Sequence, residues 1–196
     1  MGSRGEDELV PKLVWRVRLV AEFDTGETTE VEIARIERDE HAGLADLGLR
    51  LAEAKRLTAA IQAEMVPTEV TTAGENRRTC VACGRVLASK GHYNATFRSL
   101  FGDVPIRVRR LLTCPCQGTG EAKSCAAFDL EAATVAPELA YVTARYAALV
   151  PFRKVADLLS ELLPVSGAPN AGTVRNRTMR VGEAADSNAS RPPVTI

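Results

Sequence analysis

Two close cysteine pairs, Cys80-Val81-Ala82-Cys83 and Cys114-Pro115-Cys116, bracket the stretch CVACGRVLASKGHYNATFRSLFGDVPIRVRRLLTCPC and constrain the fold more than any other feature of this sequence. A single hairpin of this length buries too little apolar surface to hold together unaided, so a staple across its two ends is what it requires. Cys80-x-x-Cys83 followed by Gly84 puts two thiolates on a tight turn, and the second pair completes a four-sulfur shell suited to tetrahedral Zn²⁺. Four protein ligands leave no position for water, so the expected ion is structural. The single residue between Cys114 and Cys116 is tighter than the common spacing. Cys125 is therefore an alternative to either, and His92 is a further candidate ligand. A redox role for Cys80 and Cys83 lacks the βαβ pattern that normally surrounds it.

The formal net charge of zero hides a segregation. Residues 77–116 carry eight Lys and Arg against one acidic residue, whereas residues 1–76 carry nine against sixteen. Such a cationic block creates a local potential whose usual partner is a phosphate backbone, although an Arg-rich face docked on the acidic N-terminal segment is the competing reading. Within the block, Tyr93, Ala95 and Phe97 alternate with polar residues, as do Val104, Ile106 and Val108, with a turn expected at Phe101-Gly102-Asp103. One face is then apolar and the other carries Arg98, Arg107 and Arg109, with Arg110 following.

The remainder predicts an α+β chain of one or two domains, since 45% hydrophobic and 26% charged residues is ordinary globular composition. Residues 13–36 read as two strands around Asp24-Thr25-Gly26-Glu27, with Arg16 and Arg18 facing Glu30 and Glu32. Leu44, Leu47, Leu51, Ala54, Leu57 and Ile61 recur at helical steps, giving a helix over 44–65 that Pro67 ends. The expected divisions are a hairpin-plus-helix domain (10–66), a linker (67–78), a zinc-ribbon-like β module (79–128), a helix-turn-helix-like segment (134–186) and a terminal linker (187–196). Pro137 suits a helix first turn, Pro164 closes the next helix, and Asn170 or Thr173 caps the last. In that last helix Thr173, Arg175, Asn176, Arg177 and Arg180 occupy the groove-entering position of a helix-turn-helix, where Arg and Asn can hydrogen-bond base edges or hold phosphates.

No nucleotide-binding glycine loop, HExxH or Ser/His/Asp arrangement is present, and Asp129, Glu131, Glu138, Asp157 and Glu161 have the spacing of solvated helix faces. An enzyme is the least expected class. MGSRGEDELV lacks the apolar core of a secretion signal and no long apolar run follows, so the expectation is a cytoplasmic chain with no membrane segment.

The order of features resembles the N-terminal half of the ISKra-type bacterial insertion-sequence transposases. The resemblance runs from WRVRLVAEFDTGETTEVEIARIER and LADLGLRLAEAKRL, through the cysteine segment with FRSLFGDVPIRVRR, to APELAYVTARYAALVPFRKVADLLSELLP and NAGTVRNRTMRVGE. It implies a zinc-binding and helix-turn-helix region ahead of an RNase H-like DDE domain, with SRPPVTI resembling the entry into the first catalytic strand. A truncated transposase is thus implied, without catalytic residues, binding double-stranded DNA at insertion-sequence ends and associating with itself or an intact transposase. Cys125 falls outside the resembling motif, which favours Cys80, Cys83, Cys114 and Cys116. The alternatives are an antitoxin-like zinc-plus-helix-turn-helix transcription regulator and a protein-interaction module.

Overall fold

The computed structural model describes residues 13–39, 42–117, 123–130, 134–165 and 169–189. These form two small antiparallel sheets and four α-helices, in two compact units, 1–61 and 62–196, whose division falls inside the first helix. No helix among the described residues is long and apolar enough to cross a membrane.

In the first unit β1 (Val14–Glu22) pairs antiparallel with β2 (Thr28–Glu37). The register slips between Val17 and Arg18, leaving Ile33 of β2 as the extra residue of a bulge. This slip is what the sequence of β2 demands. Without it Glu32 and Glu30 would oppose Leu19 and Ala21; with it Leu19 meets Val31, while Glu30 and Glu32 share a face with Arg16 and Arg18. The expected ion pairs form diagonally, Arg16–Glu32 at 3.4 Å and Arg18–Glu30 at 2.8 Å. One face of this hairpin is consequently apolar (Trp15, Val17, Leu19, Ile36, Ala34, Val31), yet no described residue of 13–61 is buried, and Trp15 remains 59% exposed.

Helix α1 (Leu51–Asn76) differs from its sequence expectation at both ends. Residues 44–46 form a separate 3₁₀ turn, and Pro67 lies inside the helix, so most of the expected 67–78 linker is helical. A helix-interior proline costs about 3 kcal/mol. That cost is offset by burial: Val66 and Val70 on either side of the proline pack on Val104, Ile106 and Val108 of the second sheet. The same helix, with Phe97 and Phe128, lines an apolar cavity of about 410 Å³ whose polar groups are Gln62 and Glu69.

In the second unit β3 (Ser89–Ser99) and β4 (Gly102–Leu112) form the expected hairpin, extended by β5 (Ser124–Ala126), which alternation did not reveal. Its turn is Leu100-Phe101, earlier than expected: Ser99 and Gly102 pair, and the Ser99 hydroxyl accepts the Phe101 N–H and donates to the Gly102 carbonyl. Gly102 has φ of 120°, which a side chain rarely tolerates. The strand β3 continues into the helices through Arg98, whose N–H donates to Thr134 and whose carbonyl accepts from Ala136.

Helices α2 (Pro137–Ala147), α3 (Phe152–Leu162) and α4 (Ala171–Ala189) then pack around Val155, Ala156, Leu159 and Val174. Pro137 sits in the first turn of α2, and the Asn170 side chain caps α4 by accepting the Thr173 N–H at 2.8 Å. Helix α4 extends past the expected boundary at 186. The rest of that terminal linker (190–196), residues 10–12 of the first expected domain, Glu131 and residues 118–122 of the expected β module lie outside the described residues.

Candidate metal centre and nucleic-acid interface

The thiol cluster is built by two turns. Thr79 and Val86 form a β-bridge, the Cys80 N–H donates to Arg85, and the Gly84 N–H returns to the Cys80 carbonyl at 2.8 Å. Gly84 has φ of 71°, the left-handed conformation that lets the chain turn directly after Cys83. Opposite, Pro115–Gln117 is a 3₁₀ turn at the end of β4, presenting Cys114 and Cys116. All four Sγ atoms lie within 4.8 Å of one another, with Cys80–Cys116 and Cys83–Cys114 each at 3.5 Å. A tetrahedral ion with metal–sulfur bonds of about 2.3 Å holds its sulfurs about 3.8 Å apart, so these four cysteines could hold a metal ion.

Their electrostatics fit the same role. Backbone N–H groups of Ala82 and Cys83 donate to the Cys80 sulfur and lower its pKa to about 6, which prepares a thiolate before any ion arrives. The neighbouring thiols Cys114, Cys83 and Cys80 push Cys116 up to about 12. Cys80 and Cys114 are buried, Cys83 and Cys116 exposed. The other two candidate ligands stand apart: Cys125 is exposed on β5 opposite Leu111, and His92 is exposed on β3 opposite Arg109.

The arginines of the hairpin divide by what they touch. Arg109 pairs with Glu75 of α1, and Arg110 donates twice to the Ser124 hydroxyl while lying 5.2 Å from the centre of the Tyr93 ring. Arg109 thus ties the sheet to α1, and Arg110 ties the strands of the sheet to one another. Arg98 lies 3.8 Å from Asp103 across the turn and is half-exposed. Arg107 is exposed, opposite Asn94, on the face away from the core.

The last helix divides in the same way. Val174 is fully buried, and Arg175, Asn176, Met179 and Arg180 are exposed one turn apart on the opposite side. Thr173 belongs to the capped first turn. Arg177 is half-buried and turned toward the β3–β4 turn. Burial lowers its pKa, Asp103 raises it and Arg98 lowers it further; Asp103 in turn is pushed up by burial and drawn down by the two arginines. Sequence alternation places Asn94 on the outer face beside Arg107. Nothing in the sequence marks Glu75 as the anchor of Arg109, 34 positions further along the chain. A scan against protein-family models finds no match for this chain, and a search of curated proteins finds none either.

Proposed function

We propose that this chain is a DNA-binding module of the ISKra-type transposase kind, in which a structural zinc ion staples a cationic hairpin and α4 docks on double-stranded DNA at insertion-sequence ends. The observation that carries this reading is the four-thiol cluster bracketing the hairpin, with exposed Arg107 on one element and exposed Arg175, Asn176 and Arg180 on another. Four sulfur donors at tetrahedral spacing suit Zn²⁺ or an iron centre, and a colourless protein distinguishes the first from the second. The ion supplies a cross-link between the two turns; the residues themselves do the binding. Arg107 and the half-exposed Arg98 neutralise phosphates, and Arg175, Asn176 and Arg180 reach into the major groove. Arg109, Arg110 and Arg177 act by positioning, since each is engaged within the protein. These residues are assigned no bond-breaking role.

The test combines metal analysis with duplex binding at two salt concentrations. The expectation is one zinc per chain and an affinity that falls steeply with salt, each neutralised phosphate adding about 0.9 to the logarithmic slope. A folded chain free of metal, or an affinity indifferent to salt, overturns it. A second role rests on the first unit. Its apolar hairpin face, with Trp15 and Leu19 and no buried residue around them, favours self-association or pairing with an intact transposase. Light scattering of a Trp15→Glu variant reads that role independently of DNA.

A further inference from the structure

We propose that the β3–β4 hairpin is itself a base reader, with Asn94 and Arg107 as its specificity-determining pair and the major groove of duplex DNA as its ligand. The inference rests on the DNA-binding reading and adds a second recognition element to α4.

Asn94 and Arg107 are direct cross-strand partners, both exposed, and neither side chain bonds to another described residue. Among the described residues neither head group has an internal partner. Directly opposed side chains start about 5 Å apart. Successive bases along a strand are about 3.4 Å apart, so two such side chains reach adjacent base pairs. Asn forks onto the N6 and N7 atoms of adenine, and Arg onto O6 and N7 of guanine.

The scaffold has the matching shape. Strand β5 pairs only with Arg110, Leu111 and Leu112, so between positions 92 and 97 the hairpin is two strands wide, the width that the major groove admits. Its inner face is closed by the core around Val104, Ile106 and Val108, which leaves the outer face as the side that enters.

Charge supports the same ligand. The one acidic residue of 77–116 is Asp103, set beside Arg98 at the turn, while His92 extends the outer face on the other side of Asn94, where its partner Arg109 is held by Glu75 of α1. A surface that only clamped phosphates would gain most from a cation at the position facing Arg107. A neutral amide there neutralises nothing and is suited to reading an edge.

The experiment is selection of the full chain against a randomised duplex pool, with the parent, Asn94→Ala, Arg107→Lys and the α4 variant Arg175→Ala. Asn94→Ala is expected to erase the preference at one base pair and to weaken the selected duplex roughly ten- to a hundredfold, leaving the remaining motif intact. Arg107→Lys keeps the charge but loses the fork, so the preference at the adjacent base pair disappears while the salt slope is unchanged. If both hairpin variants enrich the parental motif with parental affinity, the hairpin is no reader. Should Arg175→Ala still alter the motif in that case, DNA binding through α4 stands without it. A parent chain that enriches no duplex, or that prefers single-stranded RNA, removes both readings together.

Discussion

Arg38 and Glu53 show how one pair of side chains orders a unit that has no buried core of its own. The guanidinium meets the carboxylate through two bonds of 2.7 and 2.8 Å, its Nη2 also donates to the Gly48 carbonyl at 2.5 Å, and the Arg50 N–H donates to the same carboxylate at 3.0 Å. The two side chains are only 11% and 12% exposed, unlike Arg16–Glu32 and Arg18–Glu30, whose half-exposed geometry is worth at most about 1 kcal/mol each. Bidentate, shielded pairing is the stronger kind. The bond from Arg38, aided by the Arg50 N–H, holds the Glu53 pKa at about 2 against an ordinary 4.5. Because the folded value is the lower one, the stabilisation is complete above the ordinary value and is lost as pH falls through about 2. Trp15 is the single tryptophan and lies in this unit, so its fluorescence follows the unit alone. An acid titration of the parent should show a transition between these two values, and Glu53→Gln should flatten it. An unchanged acid limb in Glu53→Gln would assign the transition to another carboxylate.

At the scale of elements, α1 is where local sequence and tertiary packing disagree. Pro67 cannot donate to the carbonyl one turn earlier, yet the helix continues nine residues beyond it to Asn76. If burial of Val66 and Val70 is what overrides the proline, replacing it should stabilise without altering the fold. Pro67→Ala is expected to add about 1–3 kcal/mol of stability, read as a higher urea midpoint, this being the helix penalty less the entropy that proline removes from the unfolded chain. A loss of stability would mean that the proline fits a bend the packing needs. This element also marks what the sequence left illegible. Alternation located both hairpins, because period-two patterning survives wherever one face of a strand is covered, and Pro137 marked the start of α2, while the sequence leaves the cap of α4 between Asn170 and Thr173, and the Thr173 N–H donating to Asn170 decides for Asn170. The small polar run TEVTTAG looked like a linker because its helical face is completed by residues some forty positions away on β4, a contact that no local pattern encodes. The bulge at Ile33 was legible only as a parity conflict between the two strands. Charge counting found the cationic block, but the division between Arg107, which is exposed, and Arg109 and Arg110, which are engaged within the protein, depends on Glu75 and Ser124.

For the molecule as a whole, the metal centre proposed at the thiol cluster is expected to set whether the second unit keeps a defined hairpin. The described sheet buries Val104, Ile106, Val108 and Leu111, a small core that ends where Cys114 begins. A bound ion adds a cross-link between residues 80–83 and 114–116, closing the loop that contains the hairpin, and in small thiolate sites the binding free energy is about 10–16 kcal/mol and is in effect folding free energy. Removing a buried ligand should therefore collapse the assembly, whereas altering a cysteine outside the shell should do nothing measurable. Cys114→Ser is expected to lose the ion together with amide protection along 92–98 and 103–109, and a strong chelator should reproduce that loss in the parent. Cys125→Ser, at an exposed position on β5, should keep both, with stability changed by no more than about 0.5 kcal/mol. The outer position Cys116 separates coordination from packing. Cys116→His supplies a nitrogen ligand at an exposed corner and should retain the ion, since three sulfurs and one imidazole are an accepted shell, while Cys116→Ser should weaken it. Equal loss of metal in Cys125→Ser and Cys114→Ser would show that the ligand set had been drawn from the wrong four residues, and the hairpin would then need another explanation for its order.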